Sequence, residues 1–172
     1  MSFLIKRTIF FIFIVLSCCP FTKRPLNQKI EDGGIEILFG KISREYLFEA
    51  YPDWIDQYEN YSPDPLIVDK ISALKKKVTI EIFLGTWCAD SKREVPKFFK
   101  ILDKSGLSKK TSVKLYAVNL QKKTIGEMAE NRNVKRVPTF IFLENEHETG
   151  RIIEQPDITL EADMIQILLN SN

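Results

Sequence analysis

The chain has 172 residues, with 25 basic and 23 acidic side chains, one histidine and three cysteines. That length suits one domain with its own core, and three cysteines exclude a disulfide-dense scaffold. Nearly balanced charge leaves no electrostatic footprint for nucleic acid.

The amino terminus reads as a separate object. Lys6 and Arg7 form a basic start, Ile9 to Leu16 a short apolar stretch, and Ser17-Cys18-Cys19 a small-residue cleavage point. The stretch falls well short of the ~20 residues that span a bilayer, so residues 1–19 are expected to be an export signal. Loss of residues 1–17 removes Lys6 and Arg7 and leaves 23 basic against 23 acidic residues, a formally neutral mature chain. Val15-Leu16-Ser17-Cys18 also resembles a bacterial lipoprotein box. That resemblance implies a lipid on Cys18 or Cys19, with Cys18 the expected acceptor; ordinary cleavage nearby is the alternative.

Residues 20–34, with Pro20, Pro25 and Asp32-Gly33-Gly34, are expected to be a tether ending in a turn. Residues 35–77 are expected to form an N-terminal extension. It starts with a short strand at Ile35–Phe39, then a helix capped by Ser43 that runs through Ala50. Pro52 starts a second helix carrying Trp54, Ile55 and Tyr58, and Pro65 opens a third through about Lys75. Trp54, Tyr58 and Tyr61 read as packing residues, and Lys75-Lys76-Lys77 and Lys109-Lys110 as solvated loop charges.

From residue 78 the pattern predicts strand 78–84, helix 90–103, strand 112–118, helix 122–132, strands 139–144 and 149–154, and helix 158–169. The βαβ order fits a central mixed sheet flanked by helices, an α/β fold.

Cys88 lies where the apolar strand ends and an amphipathic helix begins, with Val95, Phe98, Phe99 and Leu102 on one helix face. A cysteine there faces unpaired backbone N–H groups and the positive end of the helix dipole, which favour the thiolate, the reactive form. Lys92 and Arg93 support that form, Asp90 opposes it, and Ser91 is placed to donate a hydrogen bond to it. His147, the single histidine, sits in the polar turn 144–149, and with one remote cysteine it makes no zinc site. No metal or cofactor is expected.

Trp87-Cys88-Ala89-Asp90-Ser91, Pro96 eight residues after Cys88, Val137-Pro138-Thr139 before the apolar run 140–143, and Thr149-Gly150-Arg151 together resemble the thioredoxin superfamily over about 78–170. The segment Gly85 to Pro96 is also similar to bacterial exported thioredoxin-like proteins. The resemblance implies a thioredoxin-like domain at 78–172, with Cys88 and Ser91 at the catalytic positions. It also implies a cis peptide before Pro138, and Trp87, Val137 and Pro138 against the substrate, with Val137 lining its groove. Two departures stand out. Ser91 replaces the second, resolving cysteine. Ile82 occupies the position six residues before Cys88 where thioredoxins carry a buried Asp, and Glu81 should face the other side of the sheet. The related peroxiredoxins carry T-x-x-C, whereas Gly85 stands three residues before Cys88.

An alcohol cannot resolve a mixed disulfide, so the pattern implies monothiol–disulfide exchange, as oxidoreductase or isomerase. The expected partners are envelope proteins with thiols or disulfides, or a low-molecular-weight thiol, in the periplasm or at the membrane through a lipid anchor. The alternative is a redox-inactive module that binds a partner protein in the cis-proline groove.

Overall fold

The computed structural model describes residues 26–170. The expected signal at 1–19 and its candidate lipid acceptor Cys18 lie outside the described residues, as do the first residues of the expected tether. A six-stranded sheet in the order β1-β2-β4-β3-β5-β6 forms the middle layer. Its strands are β1 Gln28–Asp32, β2 Ile35–Ile42, β3 Thr79–Leu84, β4 Ser112–Ala117, β5 Thr139–Glu144 and β6 His147–Ile153. The β3–β4 pair is parallel, with Ile82 opposite Leu115, and every other pair is antiparallel.

Alternation along the strands divides the core between two faces. Ile80, Ile82 and Leu84 of β3 and Phe140 and Phe142 of β5 point to one face. There they meet α1 Arg44–Ala50, α2 Ile55–Asn60, α3 Pro65–Ala73, α4 Ala89–Lys104 and α6 Leu160–Asn170. The expected apolar stripe of α4 is buried: Val95 and Phe98 at 0% exposure, Leu102 at 1% and Phe99 at 2%. Phe98 stacks on Phe140 at 4.5 Å between ring centroids, and burial of each such side chain stabilises the fold by about 1.5–3 kcal/mol. Phe83, Ile141 and Leu143 point to the opposite face, where Ala129 of the short α5 Met128–Asn131 covers them with Val134 and Val137.

Residues 28–34 are not a tether. Gln28–Asp32 pairs in full with Ile35–Phe39, and Gly33 and Gly34, at φ +60° and +81°, close the hairpin as its two loop residues. The charged sequence of β1 hides its strand character, because an edge strand is held by its backbone rather than by a buried face. At Gly40 (φ +83°) β2 leaves β1 and takes up pairing with β4. The boundary expected at 77/78 therefore has no counterpart in the packing: β2 belongs to the common sheet, and Leu47, Trp54 and Ile71 belong to the common core. The expected helix 122–132 shrinks to Met128–Asn131. Gly126 and Glu127, at φ +72° and +59°, lie in the left-handed region and stop it from starting earlier.

Ion pairs and hydrogen bonds fasten the helices of the front half. Arg44 makes a bidentate pair with Asp103 of α4 at 3.1 and 2.6 Å, Tyr58 donates to the same carboxylate at 2.9 Å, and the guanidinium lies over the Phe99 ring at 4.6 Å. Tyr61 donates to the buried Glu161 of α6 at 2.6 Å. Trp54, at 1% exposure, is a core residue. Lys110 is exposed, and its ammonium also reaches the Ser72 carbonyl near the end of α3 at 3.0 Å.

Candidate functional site

Cys88 caps the N-terminus of α4, the site expected from the sequence, in extended backbone geometry (φ −95°, ψ 123°). Its N–H donates to the Gly85 carbonyl at 3.0 Å, and its own carbonyl accepts from Lys92 N–H at 3.0 Å. The thiol is partly exposed and is the one cysteine among the described residues. Its Sγ donates to the Val137 carbonyl oxygen at 3.2 Å, and the Val137–Pro138 peptide is cis.

Val137 and Pro138 thus meet Cys88, but Val137 does not line a groove with its side chain. That side chain is 3% exposed and packs among Phe83, Ala129, Val134 and Ile141. What it presents to Cys88 is its carbonyl. Pro138 is also buried, and its carbonyl accepts from Glu154 N–H at 2.7 Å at the end of β6.

Ser91 is fully buried, one turn into α4, and its Oγ accepts from Gly85 N–H at 3.2 Å. The hydroxyl is engaged with the strand-to-helix loop instead of with the Cys88 sulfur, so it holds the loop that presents the cysteine.

The charges expected to compete over Cys88 are largely spent on one another. Lys92 pairs with Asp53, at the 3-10 turn Pro52–Trp54. Arg93 pairs with Asp90 at 2.7 Å and Glu94 at 2.5 Å. The hydrogen bond to Glu94, partly opposed by burial and reinforced by Asp90, holds the Arg93 guanidinium above its ordinary value.

The Trp87 indole packs against the loop at Gly85. Its Nε1 donates to the Val118 carbonyl at 3.3 Å, and a Cβ at Gly85 would stand 2.7 Å from the ring. Glycine at 85 is what lets the indole seat there. Lys122 sits over the ring at 5.7 Å from its centroid, in the tight turn Asn119–Lys123 after β4. Sequence reasoning missed this turn because its last two residues, Lys122 and Lys123, read as the start of a helix.

Glu81 faces away from Ile82, as expected, and is 1% exposed. Arg132 donates to it at 2.7 Å and Lys114 at 3.4 Å, and the first of these bonds holds the Arg132 guanidinium above its ordinary value. It therefore serves as an ion-paired strut between β3, β4 and the 132 loop. Among the described residues no group of three or more His, Cys, Asp or Glu side chains is placed to hold a metal ion.

A family model described as Thioredoxin matches residues 48–166, well over half of the chain. The chain is 23% identical over 91 residues to the thioredoxin-like protein R548 of Acanthamoeba polyphaga mimivirus, a match covering 53% of this chain and 63% of that protein. It thus spans less than two thirds of that relative's length. Among solved structures, it superposes on a protein of unknown function from Pseudomonas aeruginosa with a TM-score of 0.54 at 10% identity, covering 76% of this chain and 87% of that one. An HIV epitope scaffold gives a TM-score of 0.53 at 10% identity, with 76% and 88% covered. At such identity the two structures speak for the fold alone.

Proposed function

The chain belongs to the thioredoxin family, and on that premise we propose that it exchanges thiols and disulfides through Cys88 alone, on protein partners in a bacterial cell envelope. Family and fold support a thiol–disulfide redox function and protein thiol substrates in general. The observation that carries the finer reading is the pair Cys88 and Ser91: a partly exposed thiol at the helix N-terminus, with a buried hydroxyl where a resolving thiol would stand.

The Cys88 thiolate attacks one sulfur of a partner disulfide. A mixed disulfide forms, and the other partner sulfur leaves as a thiolate that takes up a proton. A second thiol, from the same client or from a low-molecular-weight donor, then attacks the client sulfur of the mixed disulfide, and Cys88 leaves as a thiolate. If the attacking thiol belongs to the client, the product is a rearranged client disulfide and the cycle is an isomerisation. If it comes from a small donor, the client leaves joined to that donor, and a second donor thiol completes its reduction. Ser91 enters neither step.

The second reading is a redox-inactive binding module holding a partner at the Val137–Pro138 segment. One observation favours it: the thiol is turned to the protein's own Val137 carbonyl. Incubation of the reduced protein with glutathione disulfide, followed by peptide mass mapping, separates the two. Exchange predicts a glutathione adduct on the peptide carrying Cys88, absent from Cys88→Ser, whereas an inert Cys88 leaves the two proteins with the same adducts.

The envelope assignment is supported by residues 1–19. Intact mass of the mature protein tests it, with a lipid-modified Cys18 as the expected form and an unmodified, uncleaved chain as the contrary one.

A further inference from the structure

Trp87 is held between two segments, and one hairpin reaches both. On one side is the loop 85–87, which carries the indole. On the other is the turn Asn119–Lys123, which places Lys122 over the ring. From β2, Leu38 N–H donates to Thr86 Oγ1 at 3.2 Å, immediately before Trp87. From the end of β1, the Asp32 carboxylate accepts from Leu120 N–H at 2.9 Å, and a Cβ at Gly33 would stand 2.7 Å from the Leu120 side chain. Before the turn, Val118 N–H donates to the Leu84 carbonyl at 2.8 Å, which ties the end of β4 to β3. Lys122 is at φ +61°, and the turn's own bonds (Asn119 N–H to Lys123 C=O, Lys122 N–H to Asn119 C=O, Lys123 N–H to Asn119 Oδ1) fix its shape, not its place on the molecule. The hairpin precedes residue 48, where the family match begins.

We propose that Asp32 and Thr86 are positioning residues: through them the hairpin 28–40 locks Trp87 between the 85–87 loop and Lys122, and so fixes the aromatic wall beside Cys88 that a protein partner must dock against. Neither residue touches the reacting sulfurs. Their effect falls on docking of a folded or peptide partner, not on the intrinsic reactivity of the thiol toward a small reagent.

The test is run on the full chain in a Trp54→Phe background, which leaves Trp87 as the single tryptophan. Losing one hydrogen bond of about 1 kcal/mol shifts the open population of the turn by about fivefold, so Asp32→Ala should raise acrylamide quenching of Trp87. Asp32→Asn keeps a side-chain oxygen for Leu120 N–H and should quench like the parent, a rescue that a general loss of stability would not produce. Thr86→Val removes the other tether at nearly constant shape and should also raise quenching. It carries the test if Asp32→Ala fails to fold. Equal quenching in Asp32→Ala and Asp32→Asn, or unchanged quenching in every folded variant, overturns the proposal.

The second readout rests on Cys88 being the exchanging thiol. In Asp32→Ala, mixed-disulfide formation with a cysteine-containing peptide disulfide should slow by up to about fivefold, while iodoacetamide alkylation stays at the parental rate. Parallel slowing of both reactions contradicts a docking role. A parent that forms no mixed disulfide contradicts the function above but leaves the quenching result to decide the positioning of Trp87 by itself.

Discussion

The Cys88 thiol and the Val137 carbonyl oxygen, 49 residues apart in the chain, stand 3.2 Å from each other across the end of the sheet. The contact joins the start of α4 to the segment leading into β5. It involves the backbone of Val137 alone, because the isopropyl group is turned into the core and is 3% exposed.

Val137→Ala should therefore act as a core mutation. Removing two buried methyl groups costs about 1–3 kcal/mol, read as a lower midpoint in urea unfolding. The carbonyl remains, so the rate of Cys88 alkylation in the folded protein should stay near that of the parent. A large change in alkylation with unchanged stability would return the side chain to the groove.

Ser91→Cys supplies the thiol that a dithiol cycle needs, three residues after Cys88 on α4. It should confer fast, self-resolving insulin disulfide reduction, which the parent lacks because it depends on an outside thiol for release. Sulfur is a poorer acceptor for Gly85 N–H than the hydroxyl at 3.2 Å, so the variant should also lose about 1 kcal/mol of stability. A folded variant without reductase activity would shift the limitation to Ile82, which stands where a proton acceptor would be needed.

Asp103 gives a pH prediction. Burial pushes its carboxyl up, but hydrogen bonds from Arg44 and Tyr58 outweigh this and hold it below the ordinary carboxylate value. A depressed folded-state value stabilises the protein above the unfolded-state value, near pH 4, and that contribution disappears as pH falls through the folded-state value. Asp103→Asn should lower stability at pH 7 and flatten the decline of stability below about pH 4, measured by urea unfolding across pH. An unchanged acid limb would show that the pair with Arg44 contributes nothing.

The sequence was legible where pattern and chemistry coincide. The α4 stripe, the span of β5, the Ser43 and Pro65 helix starts and the position of Cys88 at a helix N-terminus all follow from periodicity and capping residues. It was opaque where structure depends on backbone pairing or partner choice. β1 carries three charges, Lys29, Glu31 and Asp32, and one apolar residue, Ile30, with none of the five buried, so only its Gly-Gly turn marked it. Residues 122–127 have helix-compatible side chains, yet the left-handed residues Lys122, Gly126 and Glu127 bend them into turns. Nor could spacing reveal that Ser91 would turn to Gly85, or that Lys92 would find Asp53 from the front half of the chain.

The most direct test of Cys88-dependent exchange is covalent capture. Cells producing the full chain are quenched with acid and a thiol-blocking reagent, and disulfide-linked complexes are resolved without reductant and identified by mass spectrometry. The account predicts client complexes with the parent, their disappearance in Cys88→Ser, and their accumulation when small thiols are depleted, since Ser91 cannot release them. Complexes that persist in Cys88→Ser would place the reactive thiol at Cys18 or Cys19 and contradict the account.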